Sequence, residues 1–382
     1  MRIKDTGATL AVVGLLLLLL VPGMVKASPG TTGTILYGGV GGDTPSNSDN
    51  IGALVIVDQT TAALTLVGTP VPGIRISGVA FDSTGALFGS TIGIGLPPLT
   101  STLIRIDPNT GALISVVGPI TAGPGGPAIG IADLTVQPGT DLLFGVRAPT
   151  DLLGGPGRLY IIDKTTGVGT FLGTTPRRRD SIAFAPDGTL YETGFVTGPP
   201  TLFTLNPANG AALTSVAIAE FYGSLAVRPT DSVLFSGNGD IGQIFNLDPV
   251  TGAATLLGDT TPTYIGGLAF RTCDITIGGA AADPSSLWPP NLQMVDVTVN
   301  YTATDSCGAA AGPVTCSLSV ASNEGSSLDW SVVDAHHVQL RAERAGNGDG
   351  RTYTVTITCT DTAGSSSDAA VTVTVAHDQG HG

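Results

Sequence analysis

RIDPNTGALISVVG, residues Arg105 to Gly118, runs from strand-forming residues through a polar turn into a second apolar run. Alone, its Asp-Pro with a nearby Gly could mark a metal site, a catalytic site or a hairpin turn. Four relatives elsewhere in the chain decide the matter. They are LVIVDQTTAALTLVG (54–68), LYIIDKTTGVGTFLG (159–173), LFTLNPANGAALTSV (202–216) and IFNLDPVTGAATLLG (244–258). The turns start at Asp58, Asp107, Asp163, Asn206 and Asp248, in steps of 49, 56, 43 and 42 residues. Asp or Asn bonds backbone groups two residues on, Pro presets φ, and Gly supplies a positive φ; Ala62 stands in for that Gly in the first copy. Five equivalent catalytic sites have no chemical rationale, whereas five hairpins need five turns. Asp107 is therefore read as structural.

A second strand–turn–strand motif alternates with the first: ISGVAFDSTGALFGS, IADLTVQPGTDLLFGV, SIAFAPDGTLYETG and SLAVRPTDSVLFSG. Two such motifs per period describe a four-stranded blade. The chain opens on GTILYGGV, which matches the second half of this motif, and the repeats end on IGGLAF, its first half. Joining the two closes a ring and leaves no open sheet edge. The expected fold is all-β: a five-bladed β-propeller over residues 28–272, its last blade completed by N-terminal strands, then an immunoglobulin-like β-sandwich over 273–376 and a tail, 377–382.

Composition frames the function. MRIKD, an apolar run to Val25, and small or apolar residues at Val25 and Ala27 have the layout of a signal peptide cut before Ser28. Past that cut the chain keeps 13 basic against 29 acidic residues, and Lys164 is its one lysine. Such a chain has no counterion-release route to nucleic acid and is repelled by anionic membranes. The expected location is secreted or extracytoplasmic, with no membrane insertion after cleavage. Abundant Gly and Pro with 12% charged residues fit many turns and little helix.

The motifs IDPxTG…G and IAFxPDGTLY (Ile182–Tyr191) resemble secreted bacterial propellers grouped with YVTN and NHL-type repeats, over about residues 32–271. That resemblance implies architecture, and its fold hosts lyases, lactonases, lectins and scaffolds alike. Beyond RTCDITIGG the period ends. LWPPNLQMVDVTVNYTATDSCG and HHVQLRAERAGNGDGRTYTVTITCTDTAG resemble an HYR-related immunoglobulin-like module, although Leu292-Gln293 replaces the basic pair expected after WPPN. Such modules serve as spacers or adhesive units. All four cysteines, Cys273, Cys307, Cys316 and Cys359, lie here, and in an exported chain they suggest two disulfides out of three pairings. The resemblance favours Cys307–Cys316 with Cys273–Cys359. No CxxC or HxxxH occurs, and Asn347 with Asp349 is too sparse for a calcium loop, so no metal or cofactor is expected.

The repeat region holds no His or Cys, which excludes Ser-His-Asp and Cys-His chemistry within it. It holds two glutamates, Glu192 and Glu220, and a pair of Glu220 with Asp180 or Asp133 is the remaining hydrolytic option. The connections into the innermost strands converge on one channel mouth and carry Arg75, Asp133, Arg177, Arg178, Arg179, Asp180, Phe221, Tyr222 and Tyr264. These positions vary between repeats, as a single asymmetric site requires. The leading expectation is a non-catalytic binding protein that takes a glycan, peptide or small anion there, with an extracellular glycan or protein as partner. A propeller hydrolase or lyase and a purely structural spacer are the alternatives. Oligomeric state stays open.

Overall fold

The repeated Asp turns explain how the strands meet. Each Asp or Asn accepts the amide two residues on: Thr60 to Asp58 at 2.9 Å, Asn109 to Asp107 at 2.9 Å, Thr165 to Asp163 at 2.7 Å, Ala208 to Asn206 at 2.9 Å, Val250 to Asp248 at 2.8 Å. The residue four on then turns left-handed: Gly111, Gly167, Gly210 and Gly252 have φ between 66° and 76°, and Ala62 follows at 60°. Hydroxyl and amide donors at the turn hold Asp58 at a pKa of about 2, first the Thr60 hydroxyl.

The computed structural model describes residues 30–41, 50–93, 99–147, 156–176, 181–194, 199–238, 241–346 and 350–376. The expected signal segment, Arg177–Asp180, Asn347, Asp349 and the expected tail lie outside them. Among the described residues, the repeats form five four-stranded antiparallel sheets. The innermost strands are Arg75–Phe81, Ile131–Val136, Ser181–Phe184, Ser224–Val227 and Ile265–Cys273. Each packs on the next, and the last packs on the first, so the ring closes into a β-propeller. The closing sheet joins both ends of the repeat region: Ile265–Cys273 pairs with Gly33–Val40 from Gly33↔Cys273 to Val40↔Ile265. An apolar cluster fills each gap between neighbouring sheets, for example Phe144, Val146 and Leu159 against Ile182, Phe184 and Leu205.

Glycine spacing sets how closely the sheets approach. A methyl built on Gly68 would strike the Thr110 carbonyl, one on Gly173 the Asn209 carbonyl, and one on Gly258 the Thr61 carbonyl. The Gly that ends a repeat thus seats against the Asp turn of the next sheet, and Gly258 carries this contact back to the first. Where Ala217 ends the repeat, the roles reverse, and Gly252 in the turn leaves room for the Ala217 carbonyl.

After Cys273 a four-stranded and a three-stranded sheet face each other over one core that includes Val297, Val338, Tyr353, Ile357 and Val373. The disulfides are Cys273–Cys307 and Cys316–Cys359, which corrects the pairing implied by the HYR resemblance. Cys316 and Cys359 lie directly opposite each other on paired strands, within disulfide reach. The short 3₁₀ turn Gly308–Ala311 does not close back on Cys316; it carries Cys307 onto the last propeller strand. No helix among the described residues is long and apolar enough to cross a membrane.

Candidate functional site: the two ends of the propeller channel

The five innermost strands place Gly78, Asp133, Ser181, Ser224 and Gly267 at equivalent positions near their leading ends. The two glycines let backbones touch: a methyl on Gly78 would strike the Leu134 amide, and one on Gly267 the Gly78 backbone. Asp133 fills the point where the strands converge and is fully buried. Its carboxyl accepts from Ser181 Oγ at 2.6 Å, Leu134 N at 2.8 Å and Ile182 N at 3.2 Å. The Leu225 amide, one strand further round, donates as well. One side chain therefore ties three innermost strands together.

Burial pushes the Asp133 carboxyl well above the usual carboxylate range, against the pull of those four donors. An acid whose pKa is raised on folding costs stability as pH climbs from its unfolded value toward its folded one. Asp133→Asn keeps an acceptor for the amides and removes the charge. The variant is expected to gain stability over the wild type at pH 8 and to lose that advantage near pH 4. Thermal melting across that range reads it, and a pH-independent difference would contradict the assignment.

The structure divides the remaining sequence candidates. Arg75 and Tyr264 are half-buried at the leading end. Tyr222 is buried, its ring edge-on to Phe245 at 5.4 Å, and burial pushes its hydroxyl to about 12. Asp133 and Tyr222 are therefore corrected from mouth residues to interior ones, because both are enclosed between packed strands. Glu192 is also buried, whereas Glu220 is exposed and accepts from Asn238 at 3.0 Å. Phe221 is half-buried. Arg177, Arg178, Arg179 and Asp180 fall outside the described residues.

The channel opens at the opposite, trailing end, a place the sequence reading did not single out. A cavity of about 480 Å³ lies among the trailing ends of all five innermost strands and reaches Asp274 and Ser306 of the C-terminal unit. Its charged neighbours are already engaged. Lys164 binds Asp82 at 3.1 Å, contacts Asp141 and lies 5.8 Å from the centre of the Phe88 ring. The Lys164 contact holds Asp141 below the usual carboxylate range. Arg271, buried, donates to Ser306 O at 2.7 Å and to Asn109 Oδ1 at 2.9 Å. The one lysine beyond Lys26 was the available signal, but Asp141 sits in another turn of its own sheet and Asp82 in a turn of the neighbouring sheet.

No described carboxylate pair faces this cavity without a cation between. Among the described residues, one cluster has the spacing of metal ligands, Cys273 with Asp305 and Cys307, but both sulfurs are spent in the disulfide. His336 stacks on Tyr301 at 4.4 Å and His337 pairs with Asp334 at 2.9 Å, far along the chain from either mouth.

The chain matches no protein-family profile and no curated protein. Among solved structures it is similar to a chain of a nidogen/laminin complex, at 12% identity over 62% of this chain and 98% of that one, TM-score 0.43. TolB from Acinetobacter baumannii is similar at 13% identity over 90% of this chain and 65% of that one, TM-score 0.39. A gluconolactonase from Xanthomonas campestris follows at 14% identity, 70% and 83% coverage and TM-score 0.35.

Proposed function

We propose that this is an extracytoplasmic binding protein: a five-bladed β-propeller, residues 28–272, carrying a C-terminal immunoglobulin-like module, residues 273–376. Two disulfides fit an oxidising compartment. The observation that carries the binding role is the trailing-end cavity of about 480 Å³, which lies where the two units meet and has the size of a ligand pocket.

The chemistry of the rim selects among ligands. Lys164 and Arg271 are taken up by partners of this chain, so a small anion finds no uncommitted cation among these residues. What faces outward is mostly hydroxyl and backbone: Ser83, Thr84, Thr272 and Ser306 are exposed on the rim, and the one exposed carboxylate lining it among the described residues, Asp274, accepts from the Thr32 hydroxyl at 2.8 Å. Innermost strands have no further strand to pair with, so their inner edges offer amides and carbonyls to a neutral hydrogen-bonding ligand. A neutral glycan or a short peptide fits that description. Binding, with no chemical step, is favoured because Asp133, the one carboxylate on the axis among the described residues, is buried and occupied by four donors.

A glycan array and a peptide library, probed with the mature chain, test the reading. Ser83 is exposed on the rim, so Ser83→Trp should narrow the cavity without touching a core. Affinity for any hit is expected to fall at least tenfold, about 1.4 kcal/mol, with melting unchanged. Cleavage of a bound glycan would transfer the protein to the hydrolases. No binding in either library would leave the spacer role.

A further inference from the structure

Three stretches distant in sequence meet at one seam. The strand Ile265–Cys273 closes the propeller ring on Gly33–Val40 and ends at Cys273. The start of Gly33–Val40 and the residues just before it bond to the C-terminal unit: Ser366 N donates to Thr31 O at 2.8 Å, and Thr34 N to Ala363 O at 3.1 Å. The loop after the strand Met294–Asp305 returns to the ring, with Ser306 N donating to Asp274 O at 3.0 Å and Arg271 holding the Ser306 carbonyl. Ser365 Oγ donates to Cys273 O at 2.9 Å. Cys273 and Cys307 are fully buried in the apolar cluster that holds Ile35 and Tyr37 of the closing sheet and Ala311 of the C-terminal unit.

We propose that the Cys273–Cys307 disulfide is a redox latch: forming it completes both closure of the propeller ring and seating of the C-terminal unit, and the reduced chain stays open at this seam. Ring closure joins residues more than two hundred positions apart, and such pairing carries a loop-closure cost before any contact rewards it. Among the described residues, the one strand pairing that holds the ring shut is Gly33–Val40 on Ile265–Cys273, and the latch sits at its end. The second disulfide, Cys316–Cys359, cross-links two strands within one sheet and joins no residue of the ring, although Cys359 pairs with Ser367, next to the seam residue Ser366. It is an internal control. A disulfide donor such as glutathione disulfide supplies the oxidation. One cysteine thiolate attacks it and releases one glutathione thiol. The second cysteine thiolate then displaces the other glutathione, and the two cysteine protons end on the two glutathione thiols. Once formed, the bond is buried between the apolar cluster, the Asp305 carboxylate and the Thr272 carbonyl, shielded from an attacking thiolate. Oxidation is thereby directional, and a chain held reduced before export does not close prematurely.

Hydrogen exchange on the mature chain tests the latch. In Cys273→Ser/Cys307→Ser, amides of Gly33–Val40 are expected to exchange at least a hundredfold faster than in the wild type, while those of Leu190–Thr193 keep their protection. In Cys316→Ser/Cys359→Ser, Gly33–Val40 is expected to stay protected. Should the first variant fail to fold, wild-type protein is titrated with dithiothreitol and each cysteine is mapped by alkylation and mass spectrometry. Cys316–Cys359, with Cys316 partly exposed, is expected to open first and leave the seam protected; loss of protection should accompany Cys273–Cys307. Equal protection of Gly33–Val40 with the latch broken, by either route, would overturn the proposal.

Discussion

Gly252→Ala is expected to lower stability by about 3 kcal/mol or more, where Gly188→Ala costs about 1 kcal/mol. Both glycines lie in the left-handed region, at φ 75° and 88°. Either alanine therefore meets the conformational penalty of about 1–2 kcal/mol. The difference lies in the space around them. A methyl at Gly188 meets nothing within 4 Å, whereas at Gly252 it strikes the carbonyl of Ala217 in the neighbouring sheet. Neither side of that contact can yield alone. Gly252 N is bonded to Asp248 O at 2.8 Å, and Ala217 is paired with Thr201 in its own sheet. Relief requires the two sheets to part, and in a closed ring every other gap must absorb the change. Midpoints from thermal melting should therefore differ by several degrees between the two variants, at about 2–4 °C per kcal/mol for a unit of this size. Equal shifts would show that the turn serves only its own hairpin and plays no part between sheets.

How much of this was legible depends on how far apart the cooperating residues lie. The Asp-Pro-x-Thr-Gly turn is readable because donor, acceptor and left-handed residue fall within five positions. The closing strand pair was readable because two half-motifs stood at the ends of the repeats. The glycine ending each repeat was visible as a recurrence, but its purpose was not, since its partner is a turn one whole repeat away. Asp133 misled for a related reason. Its place among the varying connection residues Arg75, Phe221, Tyr222 and Tyr264 suggested an asymmetric surface site. The informative fact was that every equivalent residue is small, which marks a place where strands converge and leave no opening. The disulfide pairing depended on where one short turn, Gly308–Ala311, comes to rest, and spacing between cysteines carries no record of that. The trailing-end cavity is assembled from five strand ends and one loop of the C-terminal unit, no two of them adjacent in sequence.

In the C-terminal unit the largest loss is expected from Arg351→Met, about 3–5 kcal/mol, the cost of leaving half of a buried ion pair behind. Arg351 is 2% exposed. Its guanidinium donates to Asp329 Oδ2 at 2.6 Å, Glu324 O at 2.8 Å and Ser322 Oγ at 3.1 Å, and lies 4.7 Å from the centre of the Tyr353 ring. Gly325 makes the room, since a methyl there would overlap the guanidinium. Methionine fills the stem but gives nothing to the Glu324 carbonyl or the Asp329 carboxylate. The Arg351 hydrogen bond holds the Asp329 carboxyl below the usual range. An acid so depressed contributes stability that is present above its unfolded pKa, near 4, and is lost as pH falls through the folded value. The gap between wild type and Arg351→Met should accordingly be widest at neutral pH and narrow in acid. Adding Asp329→Asn to Arg351→Met removes a carboxylate left with the longer Arg341 contact, at 3.4 Å, as its remaining cation, and the double variant is expected to recover part of the loss. Calorimetric melting of the four proteins at pH 7 and pH 3 reads the whole cycle. A double variant no better than Arg351→Met would shift the weight from the ion pair to the backbone carbonyl and the aromatic ring, which the guanidinium also serves.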